Sequence, residues 1–337
     1  MRVISIDGQR EIFLCGDDDS LLRAGLRAGL GLPYECSVGA CGSCKYELLS
    51  GAVEDQWPDA PGLSERDKRK GRRLACQSRP TEDCTIKMRL DSACVPQTIP
   101  KRQTIEFQKS THLTHDMREF HFKSELPAQF LPGQYALLNF PGVSGARAYS
   151  MANLANLEGN WKFHIKNMPG GAGSHSLFSG ALPEGSNIGL DGPYGLAYLR
   201  QSERDMVCIA GGSGLGPMIS IARGMSEDKE FAARQLHFFF GGRQPEDICG
   251  EDILSQLSAF QGRINYMASI SEKPNAASTW TGRVGFVHEM VMESLPAAPS
   301  DYEFYFAGPP AMAEAVQRML MIDNKVPYDQ IYFDRFF

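Results

Sequence analysis

Alternation of apolar and polar residues opens the chain. "RVISI" (2–6) and "EIFLC" (11–15) each repeat with period two and predict a hairpin that turns at "DGQR". "DDDSLLRAGLRAGL" (17–30) changes to helical period, with acidic residues at its start and Leu21, Leu22, Leu26 and Leu30 on one face. "CKYELLSGAV" (44–53) reads as a further strand. After a proline-spaced connector, "VPQTIPKRQ" (95–103), come short strand-like runs: "TIEFQKST", "MREFHFKS", "QYALLNFP", "WKFHIKNM" and "SNIGLDGPYG". Their turn residues recur at the spacing of a barrel or sandwich. From about residue 204 strands alternate with helices: "DMVCIAGG" leads into "GPMISIARGM", "LHFFFGG" into "GEDILSQLSAF", and "EFYFAGP" into "PAMAEAVQRML". That order predicts α/β architecture with a parallel sheet. No internal repeat and no low-complexity tract interrupts it.

Composition adds limits. A chain of 337 residues is long for one core, so two or three domains are expected. A net charge of −6 gives no global attraction to nucleic acid. The N-terminus lacks a signal pattern and no apolar run approaches a membrane span, so a cytoplasmic chain with no membrane partner is expected. Nine cysteines in a reducing compartment point to metal binding or catalysis before disulfides.

Three of those cysteines, Cys36, Cys41 and Cys44, stand in "PYECSVGACGSCKYELL" with the spacing C-x4-C-x2-C. Structural zinc usually takes two C-x2-C knuckles, and only Cys41 and Cys44 make one. With a fourth cysteine far downstream, the spacing is that of a plant-type [2Fe–2S] cluster. Cys76 in "RLACQ", after a polar loop and at the end of a short apolar stretch that a strand could deliver, is taken as the fourth ligand. Cys84 and Cys94 are its rivals, and Cys84 reads as loop or strand edge. Reactive or merely buried thiols are the alternative. The basic run "RDKRKGRR" (66–73) is either a solvated loop or a face for an acidic partner.

Five further motifs carry chemistry. In "RAYS" (147–150) an arginine and a tyrosine share one face of an extended segment and a serine takes the other. A guanidinium suits a pyrophosphate and a tyrosine ring can stack on a flat ring system. "PGGAGS" (169–174) can present backbone N–H groups to phosphate, with Ser174 able to open a helix. "GGSGLGPM" (211–218) follows an apolar strand, with Pro217 at a first helical position. It is not G-x-G-x-x-G, and no acidic residue ends the next strand, which disfavours a classical dehydrogenase. "AGPPAM" (307–312) and the ending "FDRFF" complete the set.

The order of strands, helix and cysteine loop over residues 1 to about 94 resembles the β-grasp fold of plant-type ferredoxins. The later motifs resemble the ferredoxin–NADP reductase superfamily. Together they look like the reductase components of bacterial multicomponent aromatic-ring oxygenases, of carbazole dioxygenase or toluene monooxygenase type. "WPDAPGLSERD", "AGPPAM" and "FDRFF" carry that last step. The resemblance implies a [2Fe–2S] β-grasp domain (1–94), an FAD-binding antiparallel β-barrel (102–200) and an NAD-binding α/β domain (204–337). It implies that Arg147 holds a flavin phosphate, Tyr149 packs on the isoalloxazine and Ser150 bonds near flavin N5. Gly170, Gly171 and Ser174 would bind the pyrophosphate, with His164, Ile165 and Lys166 also at the cofactor, and "DGPYG" would end the barrel. Gly211, Gly212, Gly214 and Pro217 would receive the nicotinamide dinucleotide. Ala307, Gly308 and Pro309 match the family's C-G-P-P motif with alanine in place of its cysteine near nicotinamide C4. Phe337 would cap the flavin, with Phe336 as its rival.

By resemblance the chain is expected to be an NADH:acceptor oxidoreductase in which NADH gives hydride to FAD and the flavin passes electrons singly to the cluster. From there they reach a ferredoxin or terminal oxygenase. Among the ribose contacts, Glu272 replaces the arginine of NADP-specific relatives, and the cations Arg243 and Lys273 are expected near it. The chain has neither the E-x-x-H of a di-iron site nor the C-x-H of a Rieske site, so it does not handle oxygen itself. A non-enzymatic electron-transfer or redox-sensing protein with a degenerate reductase module is the alternative.

Overall fold

The computed structural model describes residues 1–336, which form two compact units. Unit 1 comprises Met1–Arg102 with Ala146–Ala148 and Asp191–Tyr194; unit 2 comprises Gln103–Gly145, Tyr149–Leu190 and the residues from Gly195 on. No helix among the described residues is long and apolar enough to cross a membrane.

In unit 1, β1 (Arg2–Ile6) and β2 (Ile12–Cys15) form the antiparallel hairpin expected from their alternation. Helix α1 (Leu21–Arg27) is shorter than its pattern. Ser20 caps it by accepting the Arg23 N–H at 3.3 Å, so Asp17, Asp18 and Asp19 precede the first turn and Leu30 lies beyond the last. Leu21, Leu22 and Leu26 are fully buried. The stretch expected as one strand after the cysteine loop is two: β3 (Lys45–Ser50), then β4 (Val53–Asp55) in a separate small sheet. Next come α2 (Glu65–Arg69), β5 (Arg72–Leu74), β6 (Ser78–Pro80) and β7 (Cys84–Lys87). The main sheet has the order β2-β1-β7-β3-β5, with β7 central and parallel to β1. Cys84 is therefore not at a loop or sheet edge: it starts the middle strand and is buried. Polar pins hold this unit together. Arg27 bridges Asp19 (2.6 Å) and Asp191 (2.7 Å), and Asp191 also accepts the Tyr194 hydroxyl at 2.7 Å.

Strands β8 (Lys101–His112), β9 (Met117–Lys123), β10 (Tyr135–Asn139), β11 (Arg147–Ser150) and β12 (Asn160–Lys166) follow, then α3 (Ala172–Phe178) and β13 (Asn187–Tyr194). Their sheet order is β11-β10-β13-β8-β9-β12, and a bridge from Met151 to Phe163 links the two outer strands, closing a β-barrel. Trp161, Phe163 and Ile165 fill its core, so Lys162, His164 and Lys166 take the opposite face of β12.

The rest of unit 2 is α/β: β14 (Asp205–Gly211), α4 (Leu215–Glu227), β15 (Leu236–Gly242), α5 (Glu251–Leu254), β16 (Ile264–Ile270), β17 (Arg283–Val284), α6 (Val287–Ser294), β18 (Tyr302–Gly308), α7 (Pro310–Arg318) and β19 (Ile331–Arg335). The sheet is parallel throughout, in the order β17-β16-β15-β14-β18-β19. Strand β18 is buried at all seven positions, as expected of a strand covered on both faces. Its one carboxylate, Glu303, is met by Ser202 (3.0 Å) and Arg204 (3.1 Å). The strand order reverses between β14 and β18, and the carboxyl ends of strands at such a reversal form a crevice for ligands. "GGSG" and "AGPP" both leave the sheet there.

Candidate functional site

The cysteine loop is shaped by positive φ angles at Ser37 (56°), Gly39 (95°) and Gly42 (79°), which turn backbone N–H groups inward. The Cys41 N–H points to Cys36 Sγ at 3.3 Å and the Ser43 N–H to Cys41 Sγ at 3.5 Å. Cys76 arrives not on a strand but in a single 3-10 turn, Ala75–Gln77, between β5 and β6. Gln77 Nε2 lies 3.8 Å from its sulfur. The four thiols meet as two interacting pairs. A hydrogen bond from Cys36 pulls the Cys41 thiol down to about 5, and the same contact pushes Cys36 up. Cys76 is raised by its hydrogen bond with Cys44, by burial, and by the charges of Cys44, Cys36 and Cys41. The rivals are engaged elsewhere: Cys84 Sγ faces the carbonyls of Ala52 (3.4 Å) and Glu82 (3.2 Å), and Cys94 faces the Tyr34 backbone. An all-sulfur donor set with N–H groups aimed at sulfur fits a [2Fe–2S] cluster held by four thiolates.

On β11, Arg147 and Tyr149 are half-buried and Ser150 is buried. The Arg147 guanidinium donates to the Ala146 carbonyl at 3.2 Å, and the Tyr149 ring stands edge-on to Phe140. The glycine turn is capped by Gly171, and Ser174 lies in the first turn of α3 instead of opening it. Its hydroxyl accepts the Met168 N–H (3.2 Å) and donates to the Gly171 carbonyl (3.0 Å), tying the turn to the helix.

The nucleotide motifs converge within unit 2. A Cβ at Gly214 would lie 2.0 Å from the Ala307 carbonyl oxygen, so only glycine lets "GGSG" pass over the end of β18. A Cβ at Gly211 would lie 3.3 Å from Pro309 Cδ. At Gly216 it would lie 3.5 Å from His164 Cβ and 3.6 Å from the Ser150 carbonyl, which brings the flavin-side strands against the nucleotide loop. Pro217 is the third residue of α4, where its missing N–H still leaves no intrahelical bond unmade. Parallel pairing of β19 with β18 brings the chain end to this place, and the Phe336 N–H donates to the Gly308 carbonyl at 3.3 Å. Phe337 lies outside the described residues.

Three polar clusters here join expected residues to Glu119, Asp116, Asp247 and Gln244, which the sequence motifs do not include. Glu119, on β9 directly opposite His164, is buried and accepts from His121 Nε2 (2.7 Å), His164 Nε2 (3.0 Å) and Lys162 (3.3 Å). Burial works to raise its carboxyl, but hydrogen bonds from His121 and His164 and the nearby charges win, and it is held far below the usual range. His164, fully buried, is kept neutral chiefly by desolvation. Lys166 is clasped by Asp116 (2.9 Å) and Asp247 (3.5 Å), so its ammonium already neutralises the carboxylates beside His115. Gln244 donates to Glu272, whose N–H in turn reaches the Arg243 carbonyl at 3.0 Å, joining the ends of β15 and β16. Only the alternating charges of "REFHFK" hint at the first group.

Comparison with known proteins bears directly on these motifs. Three family models match: a 2Fe-2S iron-sulfur cluster binding domain over residues 4–81, an oxidoreductase FAD-binding domain over 104–198 and an oxidoreductase NAD-binding domain over 208–318. The chain is 41% identical to ferredoxin–NAD(P)(+) reductase CarAd of Metapseudomonas resinovorans, over 100% of both chains. The chain belongs to the ferredoxin–NAD(P)(+) reductase family. The reductase is also 37% identical to the ferredoxin–NAD(+) reductase component of the alkene monooxygenase system of Xanthobacter autotrophicus, over 96% of this chain and 97% of that one. Among solved structures it matches the ferredoxin reductase in carbazole 1,9a-dioxygenase with a TM-score of 0.90 and 37% identity, covering 100% of this chain and 98% of that one. It is an oxidoreductase that carries electrons from NADH through FAD to a [2Fe–2S] cluster.

Proposed function

We propose that the reductase delivers these electrons to a ferredoxin or terminal oxygenase of a cytoplasmic multicomponent system that hydroxylates aromatic compounds. The reading is supported by relatives described as the xylene/toluene monooxygenase electron transfer component of Pseudomonas putida and the anthranilate 1,2-dioxygenase electron transfer component of Acinetobacter baylyi, 34% and 31% identical. Residues 1–94, 102–200 and 204–337 are its cluster, flavin and nucleotide modules. Cys36, Cys41, Cys44 and Cys76 hold the cluster, and their convergence is the observation that carries the reading. Bound FAD supplies the change from a two-electron hydride to single electrons that the cluster accepts one at a time.

The protein's own groups bind and orient. Arg147 would hold a flavin phosphate, Gly170, Gly171 and Ser174 the pyrophosphate, and Tyr149 and Ser150 the ring, with His164, Ile165 and Lys166 also at the cofactor. Gly211, Gly212, Gly214, Pro217, Ala307, Gly308 and Pro309 line the nicotinamide end. Glu272 would accept from ribose hydroxyls and its charge would repel a 2′-phosphate, whereas Arg243 would stack on adenine or approach the phosphate. Two measurements test this. A purified terminal oxygenase or its ferredoxin should turn over when supplied with the reductase and NADH. The value of kcat/KM should be at least about tenfold higher for NADH than NADPH, a difference of roughly 1.4 kcal/mol. An equal or higher value with NADPH would overturn the role given to Glu272.

A further inference from the structure

The basic run at 66–73 divides into two sets. Lys68, Arg72 and Arg73 are structural: Lys68 pairs with Asp59 at 3.1 Å, Arg72 with Asp67 at 3.0 Å, and Arg73 with Asp55. Asp67 is buried, closes a capping box with Ser64, and also takes Lys45 at 2.9 Å, next in sequence to Cys44. Helix α2 is thus strapped to the strand that leaves the cysteine loop. Arg66, Arg69 and Lys70 are exposed and form no ion pair among the described residues, and the Arg69 Nε only returns to the Glu65 carbonyl at 3.3 Å. Three cations are left facing solvent on a rigid mount.

An exposed aromatic ring lies over the cysteine loop itself. Trp57 is 45% exposed, and its edge covers the cysteine loop: a Cβ at Gly39, between Cys36 and Cys41, would meet Trp57 Cε3 at 3.2 Å. The turn that carries Trp57 is fixed to the same loop by the Gly62 N–H on the Gly39 carbonyl, at 3.0 Å, and to α2 through Asp59 and Lys68. Charge also departs locally from the whole. Residues 1–102 hold 16 Lys and Arg against 15 Asp and Glu, whereas the remainder holds 18 against 25. An exposed aromatic over the cysteine loop, together with arginine and lysine side chains that make no ion pair on the helix strapped to that loop, has the residue types of an interface.

We propose that Trp57, Arg66, Arg69 and Lys70 form the docking surface for an acidic electron-acceptor protein, with Trp57 as the apolar anchor over the cysteine loop. The cations set which partner arrives and how fast, and the ring sets how closely it seats. This rests on the reading that electrons leave from the cluster.

The test uses the full protein and two acceptors of opposite charge: a purified acidic [2Fe–2S] ferredoxin and cytochrome c, a basic protein. The triple variant Arg66→Glu/Arg69→Glu/Lys70→Glu should lower kcat/KM for the ferredoxin about tenfold or more at low ionic strength and raise it for cytochrome c. Both effects should fade in ~0.5 M salt, where the Debye length is a few ångströms. Arg66→Gln/Arg69→Gln/Lys70→Gln should give the same signs at smaller size, and serves if the glutamate variant fails to fold. Trp57→Ala should slow the ferredoxin at low and high salt alike. Equal changes for the two acceptors, or none, in variants with wild-type cluster absorption overturn the docking surface. Failure of the wild-type protein to reduce either acceptor while reducing ferricyanide would instead overturn the exit of electrons through the cluster.

Discussion

Seven residues separate Cys76 from Cys84, and both are buried, yet their sulfurs meet different chemistry. Cys76 Sγ lies among Cys36, Cys41 and Cys44, while Cys84 Sγ is turned to two backbone carbonyls, which accept a thiol proton and would repel a thiolate. Cys76→Ser should therefore abolish the visible absorption and EPR signal of the cluster, because a hydroxyl is a poor substitute for thiolate on iron. Cys84→Ser should keep both, at a stability cost of about 1–3 kcal/mol for a polar group placed in the sheet. Loss of the signals in Cys84→Ser with retention in Cys76→Ser would reverse the assignment. The cysteine spacing points to the cluster type and to the first three candidate ligands. What it leaves open is the local backbone. A three-residue 3-10 turn has no period to read, and a four-residue central strand behind "RPTED" looks like an edge until its neighbours are known.

At the scale of elements, the long apolar runs are legible in the sequence and the pairing between elements is not. Strands β14, β15 and β18 declare a buried parallel sheet by composition alone, and "GGSG" and "AGPP" are readable as loops leaving it. Glu119 escapes notice because a lone acid in an alternating strand looks solvated. Its partner His164 is 45 residues away and becomes a neighbour only through the β9–β12 register. This pair has a consequence for acid stability. Glu119 is held below its unfolded value and His164 is also depressed, so in both cases the unfolded chain binds more protons. Their contributions are fully present above the unfolded values, near 6.5 for histidine and 4.3 for glutamate. They fade as pH falls below each in turn. The melting temperature should drop on acidification from about pH 6.5, more steeply below about pH 4.5. Glu119→Gln should flatten the lower limb. Glu119→Ala should cost about 1–3 kcal/mol at neutral pH by leaving the buried His164 Nε2–H without its acceptor. A Glu119→Gln protein with the wild-type acid limb would remove the carboxylate from this account.

At the scale of the molecule, the two chemistries fall on different parts of the fold. All four candidate cluster ligands lie in unit 1, and the nucleotide loops together with Tyr149, Ser150, His164 and Ser174 lie in unit 2. The candidate nucleotide site is shaped within unit 2 by β14, β18 and their loops: Gly214 is packed on Ala307 and Gly216 on His164. Hydride acceptance from NADH should then survive loss of the metal centre. In Cys36→Ser/Cys41→Ser protein, NADH-dependent reduction of ferricyanide, which takes electrons at the flavin, should stay within about twofold of wild type. The two substituted side chains sit in a half-exposed loop, so the folding cost should be small, of the order of 1 kcal/mol. Reduction of cytochrome c and support of an oxygenase require one-electron delivery from the cluster and should fall by tenfold or more, close to 1.4 kcal/mol per decade of rate. FAD content and flavin fluorescence provide the control that unit 2 has remained folded. With FAD content at the wild-type level, a parallel fall in all three activities would show that electrons do not pass from flavin to cluster in sequence.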